Sequence, residues 1–185
     1  MLKSALNFSH ELLDEIVVEG DFVVDATMGR GNDTLKLARL VGESGRVLAF
    51  DVQVKAFEQT KFRLEEAKVL ERVCLKLEGH ENVGKYLEKN IRAAIFNLGY
   101  LPGSDKSVIT RAQTTIRAVK SLMEHLCSGG RIILVVYHGH SGGSVEKNAL
   151  LEFMDEISPE KFQVLQYQFV NQENSPPFLL AIEKK

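Results

Sequence analysis

Cysteine is scarce in this chain of 185 residues: there are two, Cys74 and Cys127. They are far apart and have no metal-ligand spacing, which excludes a zinc site or a disulfide framework as the organising device. Both fall in apolar stretches, so buried free thiols are expected. An excess of charge is missing too. Lys and Arg number 23 against 25 Asp and Glu, a formal net charge of −2, which excludes a polycation that grips nucleic acid by bulk electrostatics. Any nucleic-acid partner is then met by a local basic patch. No run approaches the ~20 apolar residues of a membrane span, and no apolar stretch follows a basic start, so no membrane partner and a cytoplasmic location are expected. Repeats, low-complexity tracts and interdomain linkers are absent as well. With 44% hydrophobic residues, residues 1–185 are expected to form a single domain with one substantial core.

What is present alternates between two patterns. Ser9 to Val18 carries apolar residues at 12, 13, 16 and 17 behind a Ser suited to capping, which predicts an opening amphipathic helix. Phe22–Ala26 predicts a strand, followed by a Gly-containing turn and a helix over Thr34–Leu40. The alternation continues with Arg46–Phe50 as strand, Lys55–Leu70 as helix, Val73–Leu77 as strand and a short helix near Val83–Glu88. Arg92–Phe96 is a further strand, Val108–Cys127 a long helix and Arg131–Tyr137 the most apolar strand. Strands that read as continuous apolar runs between helices indicate a parallel sheet covered on both faces. After Gly142-Gly143 a helix runs to about Glu156. Two strands follow, Phe162–Phe169 and Phe178–Ile182, with a connection too short for a parallel crossover, so they form an antiparallel hairpin. The fold class is α/β, a Rossmann-like, seven-stranded, mostly parallel sheet closed by a C-terminal antiparallel hairpin.

In such a sheet, ligands bind beyond the carboxyl ends of the strands where strand order reverses. Asp25-Ala-Thr-Met-Gly-Arg-Gly-Asn-Asp33 occupies that place. Gly29 and Gly31 are read as letting the backbone turn and approach a ligand. A dinucleotide fingerprint has a third Gly where this chain has Thr34, which weakens a diphosphate reading. A carboxylate at Asp25 would repel a pyrophosphate but suits the ammonium group of a methionine moiety. Asp51 follows the second strand at the distance where an acidic residue accepts bonds from ribose hydroxyls. Together these favour S-adenosylmethionine as cofactor. The expected cofactor set is Asp25, Ala26, Thr27, Gly29, Gly31, Asn32, Asp33 and Thr34 from the loop, then Asp51, Gln53, His80, Glu81, Asn97 and Leu98. No metal is expected.

The loop, together with Asn97-Leu-Gly-Tyr-Leu-Pro-Gly103, Tyr137-His-Gly-His140 and Pro176-Pro-Phe-Leu-Leu180, resembles the YtqB-like (MnmM) family of small methyltransferases over nearly the whole chain. That resemblance implies a class I methyltransferase fold, S-adenosylmethionine as cofactor, and methylation of the 5-aminomethyl group of a modified wobble uridine, with the tRNA anticodon loop as partner. The wider class usually has a further Gly where this chain has Thr27, a departure the family is similar to it in sharing. Amine methyltransferases carry an Asn/Asp-Pro-Pro-Tyr segment at the end of the fourth strand, and Asn97-Leu-Gly-Tyr100 looks like a variant without the prolines.

Methyl transfer to an amine needs a neutral acceptor with its lone pair aimed at the methyl carbon. The expected catalytic residues are Asn97, Tyr100 and His138. The Asn97 side-chain carbonyl and the Leu98 backbone carbonyl are placed to accept amine hydrogens, Tyr100 to stack on an extruded base, and His138 or His140 to take a proton or touch phosphate. Tyr100, Lys106, Arg111, Tyr137, His138, His140 and Phe178 form the expected substrate surface, with Arg117, Lys120, Arg30 and Lys3 as further basic candidates. A homodimer stays open. So do another RNA or a small molecule as acceptor, an NAD-dependent oxidoreductase on the same turn, and a non-catalytic RNA-binding protein.

Overall fold

Along each central strand, successive side chains feed opposite layers of core. On the first strand, β1 (Phe22–Asp25), Val23 and Val24 are both fully buried, in different clusters. The computed structural model describes residues 1–99, 110–139 and 143–185. Its remaining parallel strands are β2 (Arg46–Asp51), β3 (Val73–Leu77), β4 (Ile91–Leu98) and β5 (Leu126–Val136). An antiparallel pair, β6 (Phe162–Tyr167) and β7 (Phe178–Lys184), completes one seven-stranded sheet in the order β3-β2-β1-β4-β5-β7-β6. Strand order reverses between β1 and β4, with Asp25 paired to Ala49 on one side and Ile95 on the other.

Helices cover both faces. α1 (Ala5–Asp14), α2 (Asn32–Leu40) and α3 (Val54–Glu66) bury Leu13, Leu37 and Leu64 on the face that carries Val23, Ile95, Ile133 and Val135. α4 (Ala112–His125) and α5 (Gly143–Asp155) bury Leu122, Val119 and Leu150 on the face of Val24, Phe96, Leu134 and Val136. Helices on both sides explain why β5 is apolar from Ile132 to Val136 with no alternation, since each face removes its own residues from water.

Several boundaries differ from the periodicity. α1 starts at Ala5, capped by Ser4, whose side chain accepts from the Asn7 N–H at 3.2 Å. Ser9 therefore lies inside the helix, buried, its hydroxyl donating to the Leu6 carbonyl. α4 stops at His125 and β5 already begins at Leu126, so the expected long helix gives its last residues to a strand. Both free cysteines correct the expectation of burial: Cys74 is exposed on β3, an edge strand with one neighbour, and Cys127 is half-buried. Among the described residues, no helix is long and apolar enough to cross a membrane.

Candidate cofactor and acceptor site

The carboxyl edge of the sheet gathers the polar residues singled out above, and the β1–α2 loop is braced from within. Asp25 is fully buried. Its Oδ1 accepts the Thr27 N–H at 3.1 Å and its Oδ2 accepts the Thr34 hydroxyl at 2.6 Å. Burial, and next the negative charge of Asp33, raise its pKa from 3.8 to about 7. Asp25 thus holds the loop's shape instead of presenting an open oxygen to a ligand. Thr34, where a dinucleotide fingerprint has glycine, is its hydroxyl partner.

The loop is tied down on every side. The Ala26 N–H donates to the Ile95 carbonyl at 2.9 Å and the Met28 N–H to the Phe50 carbonyl at 2.8 Å. The Gly29 N–H reaches Oδ2 of Asp51 at 3.0 Å, and Oδ1 of Asp51 accepts the Gln53 N–H at the same distance. Burial raises the pKa of Asp51 as well. Gly31 has φ +77° and caps α2 without a side chain. A Cβ on Gly31 would meet Thr60 of α3 at 2.9 Å, so the missing side chain is required by close packing on α3. The Thr60 hydroxyl donates to the Gly29 carbonyl at 3.1 Å.

A second cluster joins three elements. Asp33, on α2 and 8% exposed, accepts Nδ2 of Asn97 at 2.5 Å on one oxygen and Nε2 of His10 at 2.8 Å on the other. The Asn97 backbone N–H donates to the Thr27 hydroxyl at 2.7 Å. Tyr137 extends beyond β5; burial and then the Asp33 charge raise its phenol pKa.

The other expected site residues differ in exposure and in partners. The Leu98 carbonyl accepts the Tyr137 N–H at 3.0 Å within the sheet, so it is not aimed at an acceptor amine. His80 is buried, donates from Nδ1 to the Ala26 carbonyl at 3.1 Å and packs edge-on against Phe96. Its burial lowers its pKa, so it supports the loop from below. Glu81 follows it, half-buried. Phe178 is fully buried, paired in register with Val136, and has no surface for a substrate. His138 packs on it, ring centroids 5.5 Å apart. Arg111 is exposed at the N-cap of α4, and Asn32 is exposed at the start of α2. Lys120 lies instead in a groove with Lys161 and Lys184 at the sheet's other edge, and Lys3 pairs with Glu11. Tyr100, Lys106 and His140 lie outside the described residues.

Sequence reasoning missed His10, Thr60 and Glu146. Each acts across a long sequence separation, and none carried a local signal. Glu146, buried on α5, accepts the Thr110 hydroxyl at 2.9 Å. That hydroxyl in turn accepts the Gly99 N–H at 2.9 Å.

The donor set fits an adenosyl cofactor. Asp51 stands at the end of β2 with spare lone pairs for hydroxyls. Val52 and Leu77, at the ends of β2 and β3, are 57% and 47% exposed, an apolar pair flanking Asp51 where a purine ring would sit. Comparisons agree. Residues 47–183 match the family model described as "Putative rRNA methylase". The chain is 35% identical, over 99% of its length and 70% of the relative's, to a chloroplastic tRNA (mnm(5)s(2)U34)-methyltransferase of Arabidopsis thaliana. The crystal structure of a putative rRNA-methylase from Clostridium thermocellum has 46% identity and a TM-score of 0.98, with all of both chains covered. A putative methyltransferase from Streptococcus mutans, solved in complex with SAH, has 44% identity and a TM-score of 0.93, again over all of both chains. The cofactor is S-adenosylmethionine, and the chain belongs to the family described as putative rRNA methylases, as an S-adenosylmethionine-dependent methyltransferase.

Proposed function

We propose that this methyltransferase acts on tRNA in the cytoplasm, methylating the amine of 5-aminomethyluridine, or its 2-thio form, at the wobble position of the anticodon loop. The observation that carries the reading is the amide of Asn97. Asp33 uses both oxygens as acceptors, so it takes the NH₂ end of that amide, and the carbonyl end is left for a donor at the carboxyl edge of the sheet. An amine is such a donor. The 35% identity to the Arabidopsis relative, a tRNA (mnm(5)s(2)U34)-methyltransferase, supports tRNA and that nucleoside as substrate.

S-adenosylmethionine supplies an electrophilic methyl group on a sulfonium. The chain's own residues bind and orient. Asp51 would receive the ribose hydroxyls, and Val52 and Leu77 would flank the adenine. The first-turn N–H groups of α2, which have no side-chain cap, would receive the methionine carboxylate. Asp33, with Asp25 bracing the loop beside it, would supply negative charge toward the methionine ammonium. At the acceptor, Asn97 Oδ1 accepts an amine hydrogen and so turns the nitrogen lone pair toward the methyl carbon. Transfer of the methyl carbon from sulfur to nitrogen would require the amine to give up one proton, to solvent or to a base at the site's rim. Arg111, exposed beside this edge, is a phosphate contact.

The test is transfer to tRNA carrying 5-aminomethyluridine, followed by nucleoside mass spectrometry. The expected product is that nucleoside heavier by one methylene. Methylation of ribosomal RNA or of a small molecule, with that tRNA untouched, would overturn the substrate while leaving the cofactor assignment in place.

A further inference from the structure

α1 contributes one polar side chain to the site. His10, with its side chain 30% exposed, bonds through Nε2 to Oδ1 of Asp33 at 2.8 Å, and Oδ2 of the same carboxylate takes Nδ2 of Asn97 at 2.5 Å. The three groups form one chain of hydrogen bonds from α1 through α2 to the end of β4. Asp25 and Tyr137 also face Asp33 electrostatically. His10 is the single cationic or hydrogen-bonding partner that the amino-terminal helix brings to it among the described residues.

An asparagine amide has two nearly isosteric ends, one that donates and one that accepts. Held one way, Asn97 offers its carbonyl to an incoming amine. Flipped, it offers NH₂ and draws the amine's lone pair away from the methyl donor. What selects the first orientation is a carboxylate that accepts on the Asn97 side. A carboxylate so close to Asp25 needs a donor on its far side to stay seated there.

We infer that His10 is a positioning residue for methyl transfer: by donating to Oδ1 of Asp33 it seats the carboxylate that fixes the Asn97 amide with its carbonyl toward the acceptor. The inference rests on the proposed amine acceptor for its kinetic consequence, while the hydrogen-bond chain itself can be tested without it.

The variants are His10→Ala and His10→Gln, the second retaining an N–H donor on a side chain long enough to reach Asp33. Alanine is a better helix former than histidine, so α1 keeps its fold. With aminomethyluridine tRNA, His10→Ala is expected to lower kcat on the order of tenfold, with the calorimetric Kd for S-adenosylmethionine and the KM for tRNA within about twofold of wild type. His10→Gln is expected to regain most of the rate. Unchanged kcat in His10→Ala, a cofactor Kd weakened by the same factor as kcat, or no recovery in His10→Gln would each overturn the inference. A second readout uses the side-chain NH₂ resonances of Asn97, identified by their loss in Asn97→Ala. Protection of those protons from exchange is expected in wild type and His10→Gln and reduced in His10→Ala. Equal protection in all three overturns the inference whatever the substrate. Failure of wild-type enzyme to methylate the tRNA, with the protection pattern as expected, would sink the substrate and keep the positioning role.

Discussion

The two edges of one sheet handle charge differently. At the amino edge of β5, Arg131 is held between Glu15 and Glu183, each at 2.6 Å, so acids meet a base. An open groove of about 840 Å³ has Lys120, Lys161 and Lys184 standing among Glu124, Glu156 and Glu160. At the carboxyl edge, Asp25, Asp33 and Asp51 are buried or half-buried near one another, satisfied by the Thr34 hydroxyl, backbone N–H groups, an amide and one histidine. Burial and the Asp33 charge raise the pKa of Asp25, and carboxylates gathered in this way are the electrostatic sign of a place that suits a cationic ligand. S-adenosylmethionine brings a sulfonium and an ammonium. The contrast separates an edge that is structurally complete from one that its ligand completes.

The largest effect that would break this contrast is expected at Asn97. Replacing it with alanine should reduce methyl transfer on the order of a hundredfold while the cofactor still binds within a few-fold of wild type, as read by single-turnover rates and calorimetry. Next comes Asp51→Ala, which removes acceptors for the ribose and for the Gly29 N–H. Cofactor affinity should fall about tenfold to a hundredfold, the worth of a charge-assisted hydrogen bond.

Those residues also mark how far the sequence could be read. The succession of strands and helices, the hairpin and the loop at Asp25 were legible because apolar runs, glycines and a carboxylate at a strand end are local signals. The function of each loop residue was not. Gly31 reads as a ligand-facing glycine until Thr60, far along the chain, is found against it. Asp25 reads as a ligand group until Thr27 and Thr34 are found on its oxygens. Phe178 looks substrate-facing from its loop, yet register with Val136 buries it. The cysteines mislead in the other direction, because apolar neighbours in sequence do not tell an edge strand from a central one. His10 gave no signal, since nothing near it in sequence names Asp33 as its partner.

A smaller effect follows from the carboxylate pair. Asp25 has its pKa raised from 3.8 to about 7. A raised acid favours the fold while it is protonated, and that advantage is lost as pH rises through about 7. The cofactor-free thermal midpoint should therefore fall between about pH 4 and about pH 7, more steeply than in Asp25→Asn, and level off above that. A bound cation favours the ionised form, so binding releases a proton and the stabilisation by S-adenosylmethionine should grow over the same range. A flat cofactor effect across that range would deny that the carboxylates await a cation. The smallest effect belongs to the other edge: Lys120→Ala and Lys161→Ala should change transfer by less than about twofold, as exposed charges away from the site do. A large loss there would make the two edges partners in RNA binding and erase the contrast.

The most direct measurement is a structure of this chain with S-adenosylhomocysteine and an anticodon stem–loop carrying 5-aminomethyluridine. The account predicts the acceptor nitrogen within about 2.6–3.2 Å of Asn97 Oδ1, with Nδ2 still on Asp33. An acceptor nitrogen held elsewhere, with the Asn97 carbonyl turned away from it, would contradict the account.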